Sequence, residues 1–463
     1  MGKLKPYSFQ KDAISWIQKK PNRLLALDMG LGKTMVAILA ARETGASKIL
    51  VICPASVKYN WAKEIDKWWP GRSIHIVEGR GKKVIPVVDF VIINYDLLIS
   101  KPVLMQLIHT KWDVLVLDEL HYLKNNAAKR TKAVYYPKGI ASAADRVWGL
   151  TGTPVLNRPI ELFSHLKTLC PERLAPKYLS RYDYVERFCD GHYEEVVMWV
   201  DTGRGMKKIT KDRWIESGAS NLAELSKILD GFMLRRLKKD VLKELPDKTY
   251  QTIYLKGRRT DIEKERKAYE ESKESILGDL ATLRRENGIK KVPQIVEHVK
   301  NILDEKEKIV LFAYHRDVIK NLAGALEDYS PVVVSGKTPS AKRLQAVDTF
   351  RGQANTRVFI GQIEAAGIGI DGLQDVCDTI VFSELHYVPG HLHQAIDRCH
   401  RIGQKNPVLV QFLVLEGSID EDIAQTISRK EKIIEQIVKK TTMVEGLENV
   451  LSRVTKVLGR WLG

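Results

Sequence analysis

At 463 residues and 44% hydrophobic content, the chain has the material for about three domains of ordinary size, each with its own buried core. Its 74 Lys and Arg against 57 Asp and Glu leave a formal charge of +17 and a pI near 9.4, which suits a polyanionic partner: a nucleic acid, whose counterions are released as phosphates are neutralised, or an anionic membrane surface. No apolar run reaches the roughly 18 residues of a membrane span, Met1 to Asp12 lacks the apolar core of a secretory signal, and the five cysteines show no C-x-x-C spacing; an intracellular, soluble protein with reduced thiols and no membrane partner is expected.

Short apolar runs bounded by turn residues alternate with helical patterns twice along the chain, the signature of parallel sheets covered by helices. The first series is Leu24 to Asp28, Lys48 to Cys53, Phe90 to Asn94, Val114 to Asp118 and Val147 to Thr151. The second is Lys308 to Ala313, Val332 to Ser335, Val358 to Gly361, Thr379 to Ser383 and Val408 to Leu415. The fold class is therefore α/β, with a lobe over 1–158 and a second over 301–435. Between them, 159–245 reads as a helical insertion with one hairpin, VVMWV and MKKIT around Asp201 to Gly205, and 246–300 as a charged helical linker. Residues 436–463 are expected to form a helical tail, and Asp420 to Val438 reads as an amphipathic helix suited to packing back across both lobes.

The first strand runs into Met29-Gly30-Leu31-Gly32-Lys33-Thr34, followed by a helical stretch without Gly or Pro. Glycines at this strand-to-helix turn let backbone N–H groups curl around phosphate oxygens, and the helix amino terminus adds partial positive charge there. Lys33 is placed to reach the β- and γ-phosphates of ATP, and the Thr34 hydroxyl to ligate Mg²⁺. The strict G-x-x-x-x-G-K-[ST] pattern is not met, because Leu27 occupies its first glycine position. The run DVLVLD then ends in Asp118-Glu119-Leu120-His121, so two carboxylates leave a buried strand side by side. Asp118 is suited to holding Mg²⁺, partly through water, and Glu119 to orienting and deprotonating an attacking water.

With these residues in place, the chain resembles superfamily 2 helicases, and within them the Swi/Snf-type DNA translocases, over nearly its whole length. The resemblance implies two tandem RecA-like P-loop lobes with helical insertions at their junction. It assigns Gln10, within Pro6-Tyr7-Ser8-Phe9-Gln10, to adenine recognition together with Gly30, Leu31, Gly32, Lys33 and Thr34. It implies nucleic-acid contacts by Pro54, Ser56 and Trp61, by Asn94 and Tyr95, and by Ala366 and Gly367. Thr151-Gly152-Thr153, His121 and Gln394 become coupling residues, and Gly369 and Asp371 meet the nucleotide. HQAIDRCHRIGQ resembles the arginine-finger motif, which implies that Arg398 and Arg401 neutralise charge developing on the γ-phosphoryl; if this stretch is helical, the two lie i, i+3 on one face. The most family-specific string is MLRRLKKDVLKELPDK, Met233 to Lys248, in which Arg235 and Arg236 either bridge the lobes or contact phosphate.

The family usually carries an acidic residue at the position of Leu27 and alanine at that of Leu120, so packing around the phosphate loop is expected to differ here. The implied activity is ATP-dependent translocation on double-stranded or branched DNA, nearest the annealing and fork-remodelling branch, in repair, recombination or replication, with partners from those processes. Histone-reading modules are not evident. Two alternatives stay open: a strand-separating helicase acting on RNA or single-stranded DNA, and a nucleotide-binding platform whose hydrolysis has decayed.

Overall fold

Each apolar run named above is a strand in the computed structural model, which describes residues 5–79, 84–201, 206–257, 278–366 and 370–438. In chain order these are β1 (Asn22–Leu27), β2 (Ile49–Cys53), β3 (Ile74–Ile76), β4 (Phe90–Asn94), β5 (Val114–Asp118) and β6 (Val147–Leu150). A hairpin of β7 (His192–Asp201) and β8 (Met206–Ile215) follows, then β9 (Met233–Arg236) and β10 (Lys248–Leu255). The series ends with β11 (Ile309–Ala313), β12 (Val332–Val334), β13 (Val358–Gln362), β14 (Thr379–Phe382) and β15 (Val408–Leu415). Two compact units result, one carrying a parallel sheet in the order β3-β4-β2-β5-β6-β1-β9, the other a parallel sheet in the order β10-β15-β14-β11-β13-β12. Strands β2, β4 and β5 are buried along their full length, as expected of strands covered on both faces.

The expected helical insertion and linker need correcting at two places. Met233–Arg236 is not helical but extends the first sheet beside β1, and Lys248–Leu255 pairs in parallel with all of β15. Both escape a hydrophobic-run reading because they are edge strands. β9 carries two arginines, and β10 alternates exposed and half-buried residues, although its Thr, Tyr and Ile content suits a pleated surface. The hairpin forms as read from the sequence, with Thr202 to Gly205 of its turn outside the described residues, and Ile419–Val438 is one helix. Residues 258–277 of the expected linker and 439–463 of the expected tail also lie outside the described residues.

The second unit is tied together from within by a buried lysine. Lys291, on the helix Gly278–Glu305, is fully buried and donates to the carbonyls of Ser383 (2.7 Å) and Leu413 (3.2 Å) and to Asp420 Oδ2 (2.6 Å). One ammonium thus joins that helix to the ends of β14 and β15 and to the first turn of Ile419–Val438, with each of its three donors engaged. Beside it, Glu384 accepts the backbone N–H groups of Tyr314 and His315 and pairs with the His315 ring at 2.5 Å. Removing one member of a buried pair leaves the other uncompensated. Lys291→Met is expected to destabilise the protein by about 3–5 kcal/mol, read as a lowered denaturant midpoint by far-ultraviolet circular dichroism.

In the first unit, the helices Lys129–Tyr135 and Phe163–Leu169 meet through the Tyr135 hydroxyl and His165 Nδ1, 3.0 Å apart and both buried. Burial, and secondarily the nearby His121, lowers the His165 pKa from 6.5 to about 3. The unfolded chain then binds a proton that the folded chain refuses, so this contribution to stability is intact above pH 6.5 and is lost as pH falls from there toward 3. Acidification to about pH 5 is expected to cost about 2 kcal/mol at this site, and His165→Phe to remove that part of the pH dependence in denaturant titrations.

Candidate nucleotide site

The loop after β1 is shaped by two residues in the left-handed region, Gly30 (φ 83°) and Gly32 (φ 82°), and Gly32 caps the helix Lys33–Glu43. A Cβ on Gly32 would come within 2.7 Å of Gln10 Nε2, the end of a flexible side chain, so it is the left-handed backbone that calls for glycine here. Gln10 clamps the loop: its Nε2 donates to the Leu31 carbonyl (3.0 Å) while its Oε1 accepts the Tyr7 N–H (2.9 Å). The helix has no acidic residue in its first turn, so the positive end of its dipole faces the loop unopposed. Lys33 Nζ donates to the Leu27 carbonyl at 3.1 Å. Burial lowers the Lys33 pKa, while Glu119, Asp118 and Asp28 oppose that shift.

The strand order β5-β6-β1-β9 sets the other expected residues in a row at the carboxyl ends of adjacent parallel strands. Asp118 ends β5. Its Oδ1 accepts the Glu119 N–H (3.0 Å) and its Oδ2 the Trp61 indole N–H (2.8 Å), while its carbonyl accepts the Tyr95 hydroxyl (2.7 Å). Burial and then Glu119 raise the Asp118 pKa to about 6, against the pull of Trp61 and Lys33. Glu119 adopts a left-handed conformation (φ 50°) and its carboxylate lies 3.3 Å from His121 Nδ1. After β6, Thr151 Oγ1 bonds the backbone of Thr153, and a Cβ on Gly152 would stand 2.6 Å from Met29 Cγ and 3.3 Å from Lys33 Nζ. Gly152 is therefore what allows this segment to lie against the phosphate loop.

Several residues expected to touch nucleic acid are instead buried. Trp61 and Tyr95 are each 1% exposed and serve Asp118, and Pro54 and Asn94 are also buried; Ser56 is half-buried. Arg235 turns inward, with its side chain only 9% exposed. It pairs with Asp28 (2.7 Å) and donates to the carbonyls of Ala26 (3.0 Å) and Gly152 (2.9 Å), all within the first unit, while Arg236 donates to the Arg235 carbonyl. Asp28 was missed in the sequence, although it carries the same signal that singled out Asp118, an acidic residue closing an apolar strand. The two departures also find their place: Leu27 is a core residue whose carbonyl receives Lys33, and Leu120 fills the space left by Gly149, where a Cβ would approach it to 2.8 Å.

In the second unit the expected helical face for Arg398 and Arg401 does not form. The helix Pro389–Ile396 ends before them, and they sit in successive turns held by bonds such as Arg398 N to the Ala395 carbonyl (3.2 Å). Arg398 is buried with Nη1 on the Ile370 carbonyl (2.9 Å), Arg401 pairs with Asp371, and Gln394 is buried. Ala366 ends a short helix, and Gly367 and Gly369 lie outside the described residues. Glu364, His386 and His391 gather metal-type donors within 4.8 Å. The Val388 N–H donates to His386 Nδ1 (3.0 Å), so His386 Nε2 carries the proton and points it at Glu364 (3.2 Å), leaving that nitrogen without a lone pair for a metal.

The SNF2-related domain model matches residues 9–311, and the helicase conserved C-terminal domain model matches residues 291–403. The DNA annealing helicase and endonuclease ZRANB3 of Mus musculus is 31% identical over 449 residues, covering 92% of this chain and 40% of its own. The SWI/SNF-related matrix-associated actin-dependent regulator of chromatin subfamily A-like protein 1 homolog of Caenorhabditis elegans is 31% identical over 456 residues, covering 93% of this chain and 61% of its own. This chain thus spans only part of the relatives it matches. Among solved structures, the Sulfolobus solfataricus SWI2/SNF2 ATPase core in complex with dsDNA is 23% identical, with a TM-score of 0.43 and 95% of each chain covered. The chain belongs to the SNF2-related family and carries a helicase C-terminal domain after its SNF2-related domain.

Proposed function

We propose that this protein hydrolyses ATP to translocate along double-stranded DNA, acting in repair, recombination or fork remodelling. The observation that carries the reading is the row of Lys33, Thr151-Gly152-Thr153 and Asp118-Glu119 at the ends of β1, β6 and β5, within a family of helicase-like proteins. Against its burial, Glu119, Asp118 and Asp28 favour the charge on Lys33, as a β,γ-phosphate ligand requires. The donor set fits Mg²⁺: Asp118 and Thr34 offer hard oxygen ligands, and the buried Asp118 beside half-buried Glu119 is only partly compensated by Lys33. Bound there, Mg²⁺ would neutralise charge on the phosphates. Glu119, turned out by its left-handed backbone and supported by His121, would orient and deprotonate water. In this reading Arg398 and Arg401 are assigned to the charge developing on the γ-phosphoryl. Names given to relatives as DNA annealing helicases favour re-pairing of strands over their separation.

Hydrolysis measured with duplex DNA, single strands and RNA tests the substrate, and stimulation by RNA alone would defeat the proposal. Lys33→Ala and Glu119→Gln are each expected to lower duplex-stimulated turnover by at least about 100-fold without loss of the folded state. Displacement of a triplex strand, without unwinding of a plain duplex, is the expected sign of translocation. Because Arg235 is spent on Asp28 and two carbonyls, Arg235→Lys is expected to reduce stability while leaving the salt dependence of duplex binding unchanged; a salt slope reduced by about one would instead mark a phosphate contact.

A further inference from the structure

Asp118 is constrained on three sides. Its Oδ2 receives the Trp61 indole N–H (2.8 Å), its Oδ1 the Glu119 backbone N–H (3.0 Å), and its own carbonyl the Tyr95 hydroxyl (2.7 Å). With one fixed donor on each oxygen, the carboxylate cannot turn about its Cβ–Cγ bond without breaking a buried hydrogen bond. The donors are themselves fixed. Trp61 is 1% exposed on the helix Lys58–Trp68, packed in the core that also holds Val116 of β5. Tyr95 stacks on Tyr122 with centroids 5.0 Å apart and planes 12° from parallel, and the Tyr122 N–H returns to the Glu119 carbonyl at 3.0 Å. A tryptophan that served only as filler would need no partner at its indole nitrogen beyond any nearby carbonyl. Here its single donor goes to Asp118, one of the two side chains assigned to Mg²⁺.

We propose that Trp61 is a positioning residue for hydrolysis: its indole N–H sets the rotation of the Asp118 carboxylate, so that the oxygen lone pairs left over are presented to Mg²⁺ in one orientation. This rests on the reading of Asp118 as a metal ligand. It gives Trp61 a role in metal affinity that is separable from its packing, because shape and hydrogen bond can be removed independently. Orienting partners one step behind a ligand typically account for a 10–100-fold difference in metal affinity or activity.

The test compares the full chain with three variants: Trp61 replaced by 3-benzothienylalanine, which keeps the ring shape and exchanges N–H for sulfur; Trp61→Phe; and Asp118→Asn. The readouts are melting temperature, the Mg²⁺ concentration giving half-maximal binding of a fluorescent ATP analogue, and kcat and KM for ATP. The sulfur analogue is expected to melt as the unaltered protein does, to need about 10-fold more Mg²⁺, and to lose kcat with little change in KM. Trp61→Phe should move the Mg²⁺ midpoint in the same direction while also melting lower. An unshifted Mg²⁺ midpoint in the sulfur analogue, beside a shifted one in Asp118→Asn, overturns the positioning role and leaves the active-site assignment standing. An unshifted midpoint in Asp118→Asn overturns the metal assignment, and the role of Trp61 with it.

Discussion

The parallel placement of β1 between β6 and β9 is the constraint on which the first unit's chemistry depends. Pairing with β6 sets Thr151 beside the phosphate loop, its N–H on the Leu25 carbonyl at 3.1 Å, and pairing with β9 delivers Arg235 alongside Asp28. The guanidinium then satisfies the backbone on both sides, at Ala26 and Gly152, so one side chain stitches three adjacent strand ends. A buried ion pair of this kind returns little net stability, since desolvation offsets most of the attraction. What it secures is register: a slip of β9 by one residue would carry the arginine to the opposite face of the sheet.

The second unit uses the same device with a different cation. Lys291 gathers the ends of β14 and β15 and the start of the helix Ile419–Val438, much as Arg235 gathers β1, β6 and β9. The choice of side chain follows the geometry offered. Arg235 lies along a sheet edge, where a planar fork meets a carboxylate and two carbonyls spread in one direction. Lys291 comes from a helix above the sheet, and its three tetrahedral donors meet acceptors from three directions. Both units therefore place a buried cation where their loops begin, which holds the loop-bearing strand ends at fixed spacing.

Most of the sheet architecture and the nucleotide loop could be read from the sequence because they rest on local signals. Buried parallel strands are continuous apolar runs, and Gly30, Gly32 and Lys33 announce a strand-to-helix turn within six residues. What could not be read depends on partners distant in the chain. β9 and β10 are edge strands whose charged or alternating residues make sense only once β1 and β15 lie next to them. Trp61, Tyr95 and Arg235 sit in segments that resemble nucleic-acid contacts, yet their side chains turn inward to Asp118 and Asp28, 57, 23 and 207 positions away in sequence. Spacing gives no sign of that inward turn. The two arginines after Ile396 lie beyond the helix although nothing local marks where it stops: no Gly or Pro follows until Gly403.

The contact between Leu120 and Gly149 bears on how this chain can change over time. Leu120 occupies volume that exists only because β6 has a glycine opposite it, with Leu24 closing the space from the next strand. Enlarging position 149 alone would press a Cβ against the end of the leucine side chain, and shrinking position 120 alone would leave the space beside Gly149 unfilled. Each position therefore sets how much room the other has.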